Sequence, residues 1–327
     1  MDEPDPESHP RLSQYKYSDW GIPTTALSSP SASPSHLSLR DARSIIQSGH
    51  LGTSFSEFVQ AVHGGGILFH VFGSEEMCRR VLAVAVYFNY ADPAKPHTVL
   101  SSTATVDLYR EGRVTPLISN AFALRTRTSS SVGRNAHTYR SKSGHDWYII
   151  DVKGTDSDLS RIIPLGLYVP QKPESPTRST AMLHDVEPVP FWAVSGEGVL
   201  GVPVSQVGFD GRLQHGHRPL WRADGRKRKI VRIKVQWPGY VPRQETISLD
   251  DSSAESANTF NNLVEQVKGK LCKFILDNAM VPVDGENNRR WQFGDGPGEI
   301  TVRNVLLLAL VMEPSAVMIP ILRVRDL

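Results

Sequence analysis

The segment IVRIKVQW, residues 230–237, is the clearest strand in the sequence and decides the fold expected for this chain. Its apolar residues fall on one face of an extended strand and its polar residues on the other, which is typical of a half-buried β-strand. The apolar set is Val231, Ile233, Val235 and Trp237, and the polar set is Arg232, Lys234 and Gln236. Pro238-Gly239 then predicts a turn.

The clearest helix follows at residues 259–278, where apolar side chains recur at helical spacing and form one stripe. The stripe consists of Phe260, Leu263, Val264, Val267, Leu271, Phe274 and Ile275. Beyond it, the apolar runs 302–312 and 317–324 predict a hairpin turning at residues 313–316. Pro320 would place the last strand at a sheet edge or at a bulge.

The N-terminal half gives weaker signals for individual elements. Short helices are expected after Ser38 and after Thr53 or Ser54, and the runs 67–72 and 80–90 favour strands. A helix beginning at Ser74 is the alternative to the second of these strands. Further strands are predicted at 98–109 and 113–124, paired around Glu111-Gly112, and then at 147–152 and 162–169.

These patterns predict an α+β fold that is predominantly antiparallel β, because short turns rather than crossover helices join successive strands. One long amphipathic C-terminal helix and short N-terminal helices complete it. The predicted organisation is a disordered Ser/Pro-rich tail at 1–38, a β-rich lobe with N-terminal helices at 39–170, a linker or long loop at 171–184, and an α+β lobe at 185–327. One continuous domain with a long surface loop is the alternative.

Composition limits the class of protein. The chain has 327 residues, of which 39% are hydrophobic, so it can form a core and is not wholly disordered. Two cysteines, Cys78 and Cys272, cannot make a disulfide framework. No stretch approaches the ~18 apolar residues of a membrane span. We therefore expect an intracellular protein of the cytoplasm or the nucleus, with no membrane span.

Positive charge is segregated, although the net charge is only +2. Residues 112–145 contain six basic side chains and no acid, and in residues 212–234 Asp224 is the only acid among nine basic side chains. Such stretches attract anionic partners such as nucleic acid, a phosphopeptide or a phosphoinositide headgroup. The candidate anion-binding residues are Arg125, Arg127, Arg226, Lys227, Arg228 and Lys229. Alternatively, these loops only keep the protein in solution, and residues 226–229 are also typical of a nuclear import signal.

One segment suggests catalysis. The strand WYIIDVK, residues 147–153, ends in Asp-x-Lys and resembles the core of the PD-(D/E)xK nuclease superfamily. The resemblance covers about seven residues and implies that Asp151 holds a divalent metal while Lys153 orients the attacking water. Asp107 would supply a second carboxylate, although the Pro-Asp dipeptide of the family is not evident. In the alternative interpretation, Asp151 and Lys153 simply end a strand and face water.

The remaining motifs point to no chemistry of their own. His215 and His217 lie on one face of an extended segment and could hold a metal only with help from His184 or Asp210. We therefore predict no metal and no cofactor. The function expected from the sequence is that of a non-enzymatic intracellular interaction protein, whose partner is another protein or an anionic ligand such as nucleic acid. The alternative is a metal-dependent nuclease using Asp151 and Lys153.

Overall fold

The computed structural model contains two β-sheets joined by helices and loops. It describes residues 59–60, 62–89, 109–114, 118–125, 138–140, 146–165, 189–205, 213–220, 228–249, 258–313 and 317–325. Among the named strands, every pairing is antiparallel except that of β7 (Ile230–Val235) with β10 (Val317–Val324). The predicted α+β class with mainly antiparallel strands is confirmed.

The C-terminal half is a ββαββ unit. Strand β7 turns at Pro238-Gly239 into β8 (Arg243–Ser248), the helix α3 (Phe260–Asn278) follows, and β9 (Val305–Met312) pairs with β10. The sheet order β5-β9-β10-β7-β8 places β8 last on the path, while β5 (Phe191–Trp192) and β6 (Val202–Pro203) both pair with β9. The strand, helix and hairpin that the sequence predicts here are confirmed, with their bounds shifted by a few residues at most.

The smaller sheet has the order β1-β2-β4-β3. Its strands are β1 (Tyr109–Val114), β2 (Ile118–Arg125), β3 (Thr138–Arg140) and β4 (Asp146–Val152). The predicted hairpin exists, but its turn was wrongly placed at Glu111-Gly112. Both residues lie inside β1, paired with Phe122 and Ala121 of β2, and the ladder continues beyond them to the pair Val114 and Ile118.

The helix α1 (Ile67–Asn89) occupies the segment for which the sequence favoured two strands. A break at Gly73, with φ 78° and ψ 176°, divides it into two helical pieces. The helix that was the alternative after Ser74 is therefore correct, and the strand expected at 67–72 is wrong. Short apolar runs do not distinguish strand from buried helix. Here the helix packs its first residues, Ile67 and Leu68, into the core between the two sheets.

The larger sheet is covered on both faces at β9 and β10. On one face, α3 packs its predicted apolar stripe against the sheet. Val231, Ile233 and Val235 of β7 belong to the same core. On the other face, the smaller sheet and α1 pack against alternate residues of β9 and β10, among them Leu306, Leu308, Val311, Ile319 and Ile321. The indole Nε1 of Trp192 donates a hydrogen bond to the Ile149 carbonyl at 3.1 Å and so links the two sheets.

Pro320 lies where β10 changes neighbours. Strand β7 pairs with β10 only at Val317 and Met318. Beyond the proline, the segment 161–163 lies beside β10 instead of β7, and the N–H of Ile163 donates to the Leu322 carbonyl. A register irregularity follows between Ile321 and Leu322. The strand is therefore interior, and Pro320 is tolerated because it stands beside an irregular position in the ladder.

The predicted tail at 1–38 and the linker at 171–184 lie outside the described residues, and the division into lobes at 39–170 and 185–327 stays a prediction. The core between the two sheets combines residues from both of those lobes. Three further elements are the short helix α2 (Asp156–Ser160) and the 3₁₀ helices Glu286–Trp291 and Val302–Asn304. None of the helices described is long and apolar enough to cross a membrane.

Candidate interaction surface

The open face of β7 and β8 is the most exposed regular surface in the described part of the larger sheet. It carries Ile230, Arg232, Lys234, Gln244, Thr246 and Ser248, of which all but Lys234 are exposed and Lys234 is half-buried. This face is the continuation of the one that the smaller sheet covers at β9 and β10, as the neighbouring positions Arg232 and Val317 show. The smaller sheet thus leaves the β7–β8 end of the large sheet uncovered.

The open face is basic. Arg232 stands opposite Thr246 and Lys234 stands opposite Gln244 across the hairpin, so the residue of β8 facing each cation is neutral. None of the six side chains on this face is acidic. The opposite face differs, since there Arg243 pairs with Asp277 at 2.7 Å and Lys270 pairs with Glu245 at 2.6 Å. Cations and carboxylates therefore pair on the face beside α3, whereas the six side chains of the open face are basic or neutral.

The main chain of β8 faces outward at alternate residues. Leu249 N–H donates to the Lys229 carbonyl at 2.7 Å, so this pair is one that exchanges hydrogen bonds with β7. Pairing runs without irregularity from Ile230 and Ser248 to Val235 and Arg243. By alternation, the main-chain N–H and C=O of Gln244, Thr246 and Ser248 point away from β7. In agreement, the Ser248 carbonyl accepts a hydrogen bond from the Gln266 side chain at 3.1 Å.

Of the predicted anion-binding residues, the structure describes the side chains of Arg228 and Lys229. Lys229 is exposed at the start of β7, whereas Arg228 is buried and its N–H donates to the Leu220 carbonyl at 2.9 Å. Arg125 is the last residue of β2, and its side chain is not among those that the structure describes. Arg127, Arg226 and Lys227 lie outside the described residues. The described exposed cations of the second basic stretch are thus Lys229 and Arg232.

Asp151 lies in the core, where its carboxylate binds the start of α1. Its oxygens accept hydrogen bonds from the N–H groups of Leu68 at 2.8 Å, Phe69 at 3.2 Å and Val152 at 2.8 Å. Two of these donors belong to the first turn of α1, whose N–H groups have no partner within the helix. The partial positive charge of that helix end also favours a carboxylate there. Asp151 therefore acts as an N-terminal cap supplied from a distant strand.

The surroundings of this cap, which we call the Asp151 clasp, are dry and crowded. Asp151 and His63 are both 0% exposed, and His63 Nδ1 lies 3.6 Å from Asp151 Oδ2. Gly66 pairs with Lys153 and lies so close that a Cβ atom added to it would overlap the Asp151 carboxylate. The interpretation in which Asp151 ends a strand facing water is wrong, because burial excludes solvent from its side chain.

These contacts account for Asp151 as a structural residue and give no support to metal binding. Lys153 is half-buried, and its N–H donates to the Asn120 carbonyl at 2.9 Å. Asp107, the second carboxylate of the nuclease interpretation, lies outside the described residues. Within the ranges that the structure describes, no three His, Cys, Asp or Glu side chains are grouped as metal ligands would be.

The loop containing His215 and His217 caps α3 with its main chain. The carbonyls of Gly216 and Arg218 accept hydrogen bonds from the N–H groups of Asn261 at 2.8 Å and Phe260 at 3.1 Å. His215 has φ 57°, in the left-handed region. Its burial, with the nearby charges of Arg218 and His217, lowers the pKa of His215 to about 4. His184 and Asp210 lie outside the described residues.

Stability is expected to fall as the pH drops from 6.5 to about 4. In this range the unfolded chain binds a proton at His215 and the folded chain does not, so protons favour unfolding. We expect a loss of about 1 kcal/mol, a value reduced for partial exposure to solvent. Melting temperatures measured across this range should fall less in His215→Asn, a residue tolerant of left-handed φ, than in the wild type. Equal slopes would contradict the assignment.

Comparison with known proteins does not place the chain in a group. No protein-family model matches the sequence, and no curated protein or solved structure matches it either.

The second basic stretch and the polar face of β7 could be predicted from the sequence. Strand β8 and its outward-facing main chain were not predicted. The available signal was the alternation in residues 243–248, where Gln244, Thr246 and Ser248 share one face of a strand.

Proposed function

We propose that this protein is a non-enzymatic interaction protein that contacts an anionic partner through the open face of β7 and β8. The observation that carries the proposal is the pairing of Arg232 and Lys234 with the neutral residues Thr246 and Gln244 on an exposed sheet face. Cations that share one exposed face of a sheet contribute a positive potential that attracts and orients anions.

The neighbouring residues extend this surface. Lys229 is exposed directly before β7, at the end of the basic run 226–229. Arg125, Arg127, Arg226 and Lys227 remain proposed contributors, while the burial of Arg228 supports a structural role for that side chain. We keep the cytoplasm or the nucleus as the proposed compartment, and the free thiol of Cys272 is consistent with it.

The test is a salt titration of binding to heparin and to short nucleic acids, with and without Mg²⁺. We expect binding by the wild type at low salt that falls steeply as salt rises, because anion binding releases counterions. The double variant Arg232→Gln with Lys234→Gln should bind more weakly, and the slope of log K against log salt should decrease by about one for each cation removed.

A variant with the same change in net charge supplies the control. Lys273→Gln with Arg303→Gln removes two exposed cations, from α3 and from the 3₁₀ helix Val302–Asn304, away from the open face. Its affinity should stay near that of the wild type. Equal weakening of both double variants would show that net charge alone matters and would contradict the proposed surface. Cleavage of nucleic acid that requires Mg²⁺ would overturn the non-enzymatic proposal in favour of the nuclease.

A further inference from the structure

The edge of β8 offers main-chain hydrogen-bonding groups in a regular row. Gln244 and Thr246 each direct an N–H and a C=O away from β7, and within the described part of the sheet no strand lies beyond β8. The row ends at Ser248, whose carbonyl binds Gln266. Unpaired strand edges of this kind are templates for a further strand.

Strand β8 lacks two of the devices that usually block such an edge, a proline and a bulge. Its six residues, RQETIS, contain no proline, and its register with β7 shows no bulge. Its charged side chains, Arg243 and Glu245, are held in ion pairs on the face beside α3, and the side chains that β8 places on the open face are neutral. Natural edge strands are commonly protected by lysine, proline or a bulge.

We propose that the partner is an extended acidic polypeptide segment that adds to the larger sheet as a strand beside β8. This inference rests on the proposed function and deepens it, because the same open face supplies the charge. Main-chain groups of Gln244 and Thr246 bind the backbone of the partner, which is the mode of β-strand addition. A polypeptide is favoured over nucleic acid because only a polypeptide matches alternating N–H and C=O groups along an edge.

The geometry also predicts the pattern of the partner sequence. Strands lie about 4.8 Å apart, so a residue beside Thr246 would stand about 9.6 Å from Arg232. Extended arginine and glutamate side chains together can span that distance. The residue two positions along the added strand stands beside Gln244 and in line with Lys234. Acidic residues at alternate positions of the partner, Glu-x-Glu or Asp-x-Asp, therefore match the two cations.

The probe that tests this is a labelled peptide of alternating glutamate and valine, with binding followed by fluorescence anisotropy. Two N-methylated versions are compared, one methylated at the glutamate amides and one at the valine amides. In an added strand only one alternate set of N–H groups faces β8, so one version should bind about tenfold more weakly and the other about as well as the parent. Equal behaviour of the two versions would overturn the inference.

A variant of the protein provides the complementary test. Thr246→Pro removes an outward N–H and leaves the hydrogen bonds of β8 to β7 in place, as proline is tolerated at strand edges with its nitrogen toward solvent. It should weaken peptide binding about tenfold, whereas Thr246→Val, which keeps the N–H, should not. Urea unfolding confirms that each variant is folded, and if Thr246→Pro is not, the methylated peptides still decide.

The outcomes separate this inference from the proposed function. If the charge variant Arg232→Gln with Lys234→Gln binds weakly but methylation and Thr246→Pro have no effect, the anionic contact stands and strand addition is wrong. If the charge variant also binds normally, the proposed function is wrong as well. Failure of the peptide to bind, together with salt-dependent binding of nucleic acid to the same cations, would replace the polypeptide partner with nucleic acid.

Discussion

Replacing Asp151 with alanine is expected to lower the free energy of unfolding by about 3 kcal/mol, because three main-chain N–H groups lose their acceptor inside the core. Two of these groups, at Leu68 and Phe69, belong to the first turn of α1, and the carboxylate that they bind is 0% exposed. Water cannot replace the acceptor without opening the contact between α1 and β4. Urea unfolding of the wild type and the variant measures the loss.

Asp295→Ala is the matched control, since Asp295 is an exposed residue in a loop. Its substitution should change the free energy of unfolding by less than about 0.5 kcal/mol. A loss equally small for Asp151→Ala would contradict the structural role of the clasp. So would a rise in the melting temperature of the wild type on adding Mg²⁺ or Mn²⁺ that Asp151→Asn abolishes, because that result would make Asp151 a metal ligand.

Gly66→Ala is expected to cost about 2 kcal/mol, because the new methyl group must displace a packed side chain. The added Cβ would overlap the Asp151 carboxylate, and the His63 carbonyl lies 3.0 Å from the same position. Gly66 is thus required by close approach rather than by its own backbone conformation. Differential scanning calorimetry or urea unfolding gives the loss.

A double-mutant cycle shows whether the two residues act on one another. In the Asp151→Ala background the overlapping carboxylate is gone, so Gly66→Ala should cost less than about 1 kcal/mol there. Additive losses would mean that Gly66 serves some other purpose than making room for the clasp. Gly269→Ala is a suitable comparison, since a Cβ added in the middle of α3 would meet no atom within 4 Å.

The larger elements could be predicted because their patterns are local. Strand β7 and helix α3 each place one apolar face on the core, and their periods of two and 3.6 residues are visible in the sequence. The hairpin of β1 and β2 was misplaced because Glu111-Gly112 has the composition of a turn, whereas register with β2 keeps it in the strand. Tertiary pairing overrode the local signal.

The clasp could not be predicted because its partners are distant in sequence. Leu68 and Asp151 are separated by 83 positions, and neither has an unusual local pattern. The outward-facing main-chain groups of β8 could not be predicted for a similar reason. Which main-chain groups face outward depends on the strand order and on the phase of pairing with β7, and neither is written in residues 243–248 alone.

Residue-resolved amide hydrogen exchange tests the open β7–β8 surface most directly. The N–H groups of Gln244 and Thr246 point away from β7, whereas those of Glu245 and Ile247 are paired with it. On saturation with the alternating glutamate and valine peptide, exchange at Gln244 and Thr246 should slow by about tenfold or more, with little change at Glu245 and Ile247. Unchanged exchange at Gln244 and Thr246 while the peptide is bound would contradict the account.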